Sequence, residues 1–453
     1  MSIRSHMQIM ALLALLGLGS SAAAVAEPVV TRAFIESQFL QYDKDRANKK
    51  AQRVERLSAL QTRLFDLQSR GYSMQCSAQM LNETDWLLDS TSNFARADKN
   101  LWLLELTLGN REQDFALGQL EVDGSWGVCY DEWFKKLDPM INAINQFSEI
   151  GTPLRYSIVS FLKPISTPEL LRVYLSNILV SDISKTGISS RDELNATTSL
   201  IAEVLYKERI RDYFVRNITG RPIASSYMEA FDAFIENWQD QETGYWGAWY
   251  RSGDQVLKSR DLSMTYHIIA YRSGDVKLWD KIFDTTLQIS DDEYPYGWLQ
   301  NGTLTNHHAY DVARILKLGW NKVSGERREK AVPALERLLA YGLSQGINAD
   351  NSVTPQARFS HGIDDAYYYA VSLLTTIGYC STERPFWTDA TWPEATTRCC
   401  ALAGHIEAQN ARTPTVEAAL QRLRGAVSNC VSAEVQSADD STDSLKLDDQ
   451  GGR

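Results

Sequence analysis

Long apolar runs are missing from this 453-residue chain beyond its first residues, and basic side chains are too few to balance the acidic ones. No later segment approaches the ~20 apolar residues that a membrane-spanning helix needs, so membrane insertion is not expected. The 57 acidic and 46 basic side chains give a net charge of −11, which argues against nucleic acid as a partner. The net negative charge does not exclude an anionic ligand, because a local group of arginine and histidine side chains can form a positively charged site.

Metal-binding patterns are missing as well. The six cysteines form no CxxC pair and the six histidines form no HExxH motif, so we expect no metal and no other cofactor. One alternative stays open, in which side chains of the second half of the chain converge on a metal ion: His267, His307 or His308, His361 and Asp364.

The first 26 residues have the pattern of a signal peptide. Arg4 precedes an apolar run over residues 9–18, and Ala24 and Ala26 form a small-residue site for cleavage before Glu27. We therefore expect a periplasmic or secreted protein.

The cysteines suit an oxidising compartment, in which we expect one to three disulfides. Cys76 and Cys129 form a plausible pair because both precede the central region of the chain. Cys399 and Cys400 are adjacent, and a bond between them would be strained, so each is expected to pair with a distant cysteine.

Helical periodicity dominates the first half of the chain. Leucines recur at spacings of three and four within residues 28–70, which predicts a helix with a charged outer face. Further helix-length segments cover 134–148, 169–180 and 198–216, and no strand-like alternation of convincing length is present. The chain is therefore predicted to be all-α, with an N-terminal helical region over residues 27–220.

Three segments of the second half share one pattern. Residues 263–274, 308–319 and 367–378 each start with a polar or aromatic residue, continue with apolar residues and end in glycine, which commonly follows a helix. Each interval leaves room for one outer helix and two loops, as in α-solenoids and closed α/α toroids. We interpret residues 221–430 as an α/α toroid, with three unrelated buried helices as the alternative.

A toroid would give these segments a common function. Inner helices that begin at the same rim direct their first side chains into one funnel, and their N-termini favour an anionic ligand there. The polar, acidic segment 431–453 cannot bury enough apolar surface to fold, and we expect a disordered tail.

The loops over residues 238–254 and 290–305 are rich in aromatic side chains. Exposed aromatic rings in loops are typical of binding surfaces and suit the flat faces of sugars. Packing of the same rings at the rim of the toroid is the alternative. The aromatic residues predicted to bind substrate are Trp246, Trp249, Tyr250, Tyr296 and Trp298.

The stretch TGYWG, residues 243–247, resembles loops of the terpenoid-cyclase and protein-prenyltransferase toroids. Asp240 stands where that superfamily's repeat has glutamine, and the acidic DxDD run of its cyclases is absent. The resemblance therefore implies the toroid fold rather than terpene or prenyl chemistry.

The stretch NHHAY, residues 306–310, resembles the Asn-x-His-x-Tyr motif of the α/α-toroid polysaccharide lyases, notably the alginate-lyase family. Asn306, His308 and Tyr310 match the motif, and His307 stands where the family has a second asparagine. The resemblance implies β-elimination on a uronate-containing polymer, with a polysaccharide or oligosaccharide as the partner.

Such a lyase removes the proton next to a uronate carboxylate, whose charge must first be neutralised. Asn306 and a nearby cation would stabilise the developing charge. Tyr266 or Tyr310, with its pKa lowered by neighbouring cations, would take the proton and return it to the leaving oxygen. Guanidinium groups bind carboxylates through paired hydrogen bonds, which makes Arg251, Arg260 and Arg272 candidates for that cation.

The two adjacent histidines must face different directions, because neighbouring positions on a helix diverge by about 100°. One is expected to face the funnel, and Asp311 is placed to orient either ring. The predicted catalytic residues are Asn306, His307, His308, Tyr310, Tyr266 and His267.

Two other functions stay open. A glycoside hydrolase needs two carboxylates at the funnel, and candidates lie near both ends of the region: Asp240, Glu242, Asp311, Asp364 and Asp365. Asp364 and Asp365 would equally stabilise the N-terminus of a helix. A non-catalytic polysaccharide-binding protein would use the same surface, and the substrate-binding set includes Arg251, Arg272, His361, Asp364 and Asp365. The oligomeric state is not predicted.

Overall fold

The computed structural model describes residues 29–110, 118–353, 363–408, 414–427 and 430. Helices make up 65% of the structure and strands 4%, which confirms the all-α prediction. The predicted signal peptide at 1–26 and the predicted tail at 431–453 lie outside the described residues.

Seventeen helices run through the described residues. Those of the first half are α1 Arg32–Tyr42, α2 Arg46–Ser69, α3 Gln75–Ser90, α4 Phe94–Asn110, α5 Leu137–Ile150, α6 Pro168–Leu179, α7 Ile183–Thr186, α8 Arg191–Tyr206 and α9 Glu208–Phe214. Those of the second half are α10 Ser225–Trp238, α11 Leu262–Tyr271, α12 Trp279–Gln288, α13 Asn306–Gly319, α14 Gly325–Tyr341, α15 Ile363–Ile377, α16 Ala395–Glu407 and α17 Pro414–Ala426. Short 3₁₀ turns cover Phe134–Lys136, Lys163–Ile165 and Trp320–Lys322, and π turns cover Val215–Thr219 and Gly342–Gly346.

Two predicted helices are each divided in the structure. The stretch 28–70 forms α1 and α2 with a break after Tyr42, and α2 buries Leu57, Leu64 and Leu67 as the leucine spacing predicts. The stretch 198–216 lies in α8, which began earlier, and in α9, because Lys207 between them has an extended backbone. The segments 134–148 and 169–180 correspond to α5 and α6.

A small sheet was not predicted. Strand β1, Val180–Ser181, pairs in parallel with β2, Trp249–Ser252, and β2 pairs antiparallel with β3, Gln255–Lys258. Gly253 has a φ of +60° in the β2–β3 turn, which glycine adopts without strain. Strands this short carry too few residues for an alternating pattern to show.

The three repeated segments form α11, α13 and α15, and single helices lie between them as predicted, α12 and then α14. Gly274 and Gly378 have φ values of +80° and +93°, as expected for residues that follow a helix. Gly319 differs, because it ends α13 with a helical backbone, and a Cβ atom there would lie 2.6 Å from the Trp279 ring. Close packing, not a left-handed turn, explains this third glycine.

Helices α8, α11, α13 and α15 lie side by side and run parallel. Asn195 of α8 contacts His267 of α11, and Tyr266 of α11 contacts Tyr310 of α13, each close to the same distance from its helix start. Tyr310 also packs against Tyr369 of α15. The N-termini of these helices therefore lie at the same end of the molecule.

Contacts between helices cross the predicted boundary at residue 220. Helix α8 packs against α11, α6 packs against α10, and α2 packs against α15. One hydrophobic core extends through both regions.

Three disulfides join the cysteines. Cys76 pairs with Cys129 as predicted, and the adjacent residues Cys399 and Cys400 pair with Cys380 and Cys430. Among the described helices, none combines the length and the apolar composition needed to cross a bilayer.

Candidate functional site

Side chains from the second turns of α11, α13 and α15 meet at one place in the structure. Four phenol rings, here called the tyrosine cluster, contact one another in sequence: Tyr266, Tyr310, Tyr369 and Tyr368. The rings of Tyr266, Tyr368 and Tyr369 are partly exposed and Tyr310 is buried. The parallel packing of the three helices brings these rings together.

The start of α13 is set by Thr305, whose hydroxyl oxygen accepts the backbone N–H of His308 at 3.2 Å. This cap places Asn306 and His307 in the first turn. The Asn306 amide donates to the carbonyl of Gly346 at 2.8 Å. A Cβ atom at Gly346 would lie 2.3 Å from Asn306 Oδ1, so glycine is required for this contact.

Asn306 therefore bonds a backbone turn instead of a cation. Its Oδ1 atom is buried and accepts no hydrogen bond from the described residues. The sequence predicted that this side chain would neutralise a carboxylate close to a catalytic tyrosine. In the structure, the hydroxyl of Tyr310 bonds Tyr266 instead of Asn306.

The two adjacent histidines diverge as predicted. His308 is 2% exposed and stacks on Tyr294 with 3.6 Å between ring centroids. Burial, and then the neighbouring His307, hold the pKa of His308 well below its usual range, so its ring is neutral. The His307 side chain is 25% exposed and stacks on Tyr369 at 4.0 Å.

Asp311 lies one turn after His307 and is fully buried. Its Oδ2 atom is 3.7 Å from Nε2 of His307, and neither carboxyl oxygen accepts a hydrogen bond from the described residues. Burial, together with the charge of Asp261, raises the pKa of Asp311 well above its usual range. Of the two pairings that the sequence left open, the structure takes the one between His307 and Asp311.

The hydroxyls of Tyr266 and Tyr310 form a hydrogen bond of 3.1 Å, in which Tyr266 is the donor. Burial raises the pKa of both phenols, and for Tyr310 this outweighs the opposing effects of Arg314 and Arg422. The expectation of a lowered tyrosine pKa is therefore wrong. Phenols in this state are proton donors at neutral pH and poor bases.

Two arginines near the tyrosine cluster were not predicted. Arg422 of α17 lies over the Tyr368 ring, 5.1 Å from its centroid, and donates to the hydroxyl of Ser372. Arg314 lies one turn after Tyr310 on α13 and is half-buried. The spacing between Tyr310 and Arg314 was visible in the sequence, but the position of Arg422 depends on how α17 packs against α15.

His267 belongs to a neighbouring polar group. Its Nδ1 atom is 3.0 Å from Oδ1 of Asn195, and the Asn195 amide nitrogen donates to Ser263, so Nδ1 of His267 carries the proton. Burial, and then the positive charges of Arg191 and Lys207, lower the pKa of His267 to about 3. This histidine is neutral at working pH.

The arginines predicted as carboxylate partners lie elsewhere. Arg251, on β2, is exposed and lies 3.8 Å from Asp182. Arg272 follows the last residue of α11 and pairs with Asp232 at 3.2 Å, at the end of the helix opposite to the tyrosine cluster. Arg260 likewise lies outside the cluster, 3.7 Å from Asp292.

Most of the predicted aromatic binding residues are buried. The indole N–H groups of Trp246 and Trp298 donate at 2.9 Å to backbone carbonyls of α10 and α12. Tyr250 and Tyr296 are also buried and their hydroxyls lie 3.0 Å apart. The predicted exposure is wrong for these four rings, which pack the loops against the helices. Trp249 is half-buried, with Lys258 5.1 Å from its ring.

The predicted acidic and metal-binding residues are only partly described. His361 and the side chain of Asp364 lie outside the described residues, and Asp365 is half-buried at the start of α15. Asp240 accepts the backbone N–H of Glu242 at 2.7 Å and stabilises a turn. The described residues contain no group of three or more histidine, cysteine or acidic side chains arranged for a metal ion.

Neither a protein-family model nor a curated protein sequence significantly matches this chain, and no solved structure significantly matches its fold.

Proposed function

We propose that this protein is an exported polysaccharide lyase that cleaves a uronate-containing polymer by β-elimination. The observation that carries the proposal is the hydroxyl pair of Tyr266 and Tyr310, one helical turn from the partly exposed ring of His307. The three disulfides and the signal-like leader support export.

We further propose that the helices form an α/α toroid. The neighbours α8, α11, α13 and α15 are parallel, α2 contacts α15, α2 packs against α3, and α3 contacts α8. A series of neighbours that returns to its first member is what a closed ring of helices requires. The tyrosine cluster would then face the central channel, where a polysaccharide chain can enter.

His307 is the proposed base. It takes the proton next to the uronate carboxylate, and the electron pair of the broken C–H bond moves into the carboxylate as an enolate. The enolate pair then returns to form the C4–C5 double bond while the bond to the 4-linked oxygen breaks, and that oxygen leaves with the electron pair of the broken bond. Tyr310 protonates it, because burial keeps this phenol protonated and Tyr266 donates to its oxygen.

Arg422 and Arg314 are the proposed partners of the substrate carboxylate. Both lie close enough to Tyr310 to affect its pKa, and Arg422 is exposed. A guanidinium can hold a carboxylate through two hydrogen bonds and stabilise the charge that develops on it. In this proposal they replace Asn306, whose amide bonds Gly346.

The test is the ultraviolet absorbance of the unsaturated sugar end that β-elimination creates. The mature protein is incubated with a panel of uronate polymers, beside Tyr310→Phe. The variant should lose about 10²–10⁴-fold in turnover, because it cannot protonate the leaving oxygen. Tyr213→Phe is the matched control, since its hydroxyl bonds the Thr152 carbonyl away from the cluster and its loss should leave turnover unchanged.

A non-catalytic polysaccharide-binding protein is the second candidate. It is favoured by the orientation of Asn306 toward Gly346 and by the raised pKa of both candidate tyrosines. Retention of a polymer without any unsaturated product would support it over the lyase. Shorter chains without ultraviolet absorbance would indicate hydrolysis by carboxylates instead.

A further inference from the structure

Asp311 is a buried carboxyl with no hydrogen bond from the described residues to either oxygen. An ionised carboxylate in such surroundings is unstable unless a positive charge lies next to it. The nearest titratable contact is His307, whose Nε2 atom lies 3.7 Å from Oδ2. This histidine is the side chain able to supply a positive charge by taking up a proton.

The His307 ring has two aromatic neighbours. It stacks on Tyr369 at 4.0 Å with only 18° between the ring planes, and Tyr294 lies 6.0 Å away on the preceding loop. The contact with Asp311 joins positions four apart on α13, which face the same side of a helix. The ring is therefore confined between aromatic neighbours with one edge toward a buried carboxyl.

The surrounding charges do not satisfy Asp311. The buried Asp261 is already paired with Arg191 through two contacts of 2.7 and 2.9 Å. Among the described residues, the titratable and charged groups near the pair are Arg191 of α8, Asp261 just before α11, Tyr266 of α11, Tyr294 of the preceding loop, His308, Tyr310 and Arg314 of α13, and Asp365 and Tyr369 of α15.

We propose that Asp311 and His307 form a proton-sharing pair in which Asp311 is the positioning residue that makes His307 an effective base. When His307 takes up a proton, the carboxylate and the imidazolium neutralise each other inside the protein. The proton therefore belongs to the pair, and its affinity is higher than that of the histidine alone. Asp311 does not touch substrate and acts only through His307.

The catalytic consequence rests on the proposed function, whereas the pair itself does not. In the reaction, the proton removed from the sugar carbon binds His307, and Asp311 balances the new positive charge. The pair returns that proton to solvent before the next turnover. No other group changes its charge in this step.

The first experiment needs no substrate. The ring resonances of His307, assigned by their loss in His307→Gln, are followed by NMR against pH in the mature protein and in Asp311→Asn. We expect the pKa of His307 to fall by at least about one unit, a tenfold loss of proton affinity, because the amide cannot balance the imidazolium. Asp284→Asn, an acidic residue of the outer helix α12 that pairs with Arg327, is the matched control and should leave the titration unchanged.

The proposal is overturned if Asp311→Asn leaves the His307 titration in place, or if Asp284→Asn shifts it equally. A second measurement decides the matter even if Asp311→Asn does not fold. In the unmodified protein, the carboxyl carbon of Asp311 must respond at the same pH as the His307 ring. A carboxyl that does not respond there contradicts the pair.

Activity separates this proposal from the lyase assignment. If a uronate polymer is cleaved, the acid limb of the kcat/KM profile should move to lower pH in Asp311→Asn, following the lowered pKa of His307. Coupled titration without cleavage of any polymer would retain the pair and reject the lyase. Cleavage of a polymer with the acid limb of the kcat/KM profile unchanged in Asp311→Asn would support the lyase assignment and contradict the proton-sharing pair.

Discussion

Two buried carboxyls near the starts of neighbouring helices have opposite surroundings. Asp261 and Asp311 are both 0% exposed. Asp261 receives two contacts from Arg191 and accepts the backbone N–H of Met264 at 3.0 Å, which starts α11. Asp311 accepts no hydrogen bond from the described residues and lies near His307.

The difference indicates a structural role for Asp261 and a chemical role for Asp311. A fully bonded buried carboxylate is stable as an ion and can join two helices, as Asp261 joins α8 and α11. A buried carboxyl without bonds is kept neutral or depends on a group that can change its charge. Perturbed titratable groups of this kind are common at functional sites. The comparison is what selects Asp311, from a chain with many acidic residues, as part of the site.

Removal of the ionic partner of Asp261 should cause the greatest loss in the free energy of unfolding. Arg191→Met leaves Asp261 buried and unpaired, and we expect the free energy of unfolding to fall by ~3–5 kcal/mol. The measurement is urea unfolding. Arg337→Met is the control, because its partner Asp291 is exposed and the loss there should be ~0–1 kcal/mol. Equal losses would mean that the buried pair has no special structural role.

Asn195, the neutral partner of His267, can be replaced by an ionised residue. Asn195→Asp places a carboxylate beside Nδ1, and we expect the pKa of His267 to rise from about 3 by ~1–3 units. NMR titration of the ring measures it. In the unmodified protein the ring should stay neutral down to about pH 4. A ring that titrates in its usual range before the substitution would contradict the assigned burial effect.

A smaller change in the free energy of unfolding is expected from Asp311, which accepts no hydrogen bond from the described residues. In the proposed pair, Asp311 and His307 keep one proton between them at pH values at which the unfolded chain has released the protons of both side chains. The native state then binds more protons than the unfolded state, so this group makes the protein less stable as pH rises. Relative to Asp311→Asn, the unmodified protein should lose ~1 kcal/mol of unfolding free energy between about pH 5 and about pH 8, measured by urea unfolding.

An opposite slope in that experiment would show that Asp311 is stabilised as an ion without the proton of the pair. The same titration on Asp261→Asn shows how a hydrogen-bonded buried carboxyl behaves. That variant removes a bonded carboxylate and should be destabilised at both pH values.

Several features of the site were predictable from residues 304–315 alone. The cap at Thr305, the divergence of His307 and His308, and a pairing with Asp311 all follow from helical geometry. The repeat placed Tyr266 and Tyr310 near the starts of two equivalent helices, and in the structure their hydroxyls are in contact. The cationic partners were not found, because Arg251 and Arg272 were chosen for the chemistry of the guanidinium group and lie elsewhere.

The prediction that the aromatic loop residues are exposed was wrong for a related reason. Gly247 follows Trp246 and Gly297 precedes Trp298, and both stretches contain acidic and other polar residues, a composition typical of exposed loops. Their burial depends on backbone carbonyls of α10 and α12 that accept the indole N–H groups. Composition does not reveal such acceptors, because they become available only when the loop lies against its helix.

Local patterns by themselves determined the helices of this protein, the positions of α11, α13 and α15, and the Cys76–Cys129 pairing, because periodicity, caps and spacing act over a few residues or through few alternatives. Tertiary structure alone decided that Arg422 approaches Tyr368 across α15 and α17, and that Asp261 is bonded while Asp311 is not. Contacts and desolvation depend on groups brought together from distant positions. The chemistry of a carboxyl or a guanidinium is set by those neighbours and not by its place in the chain.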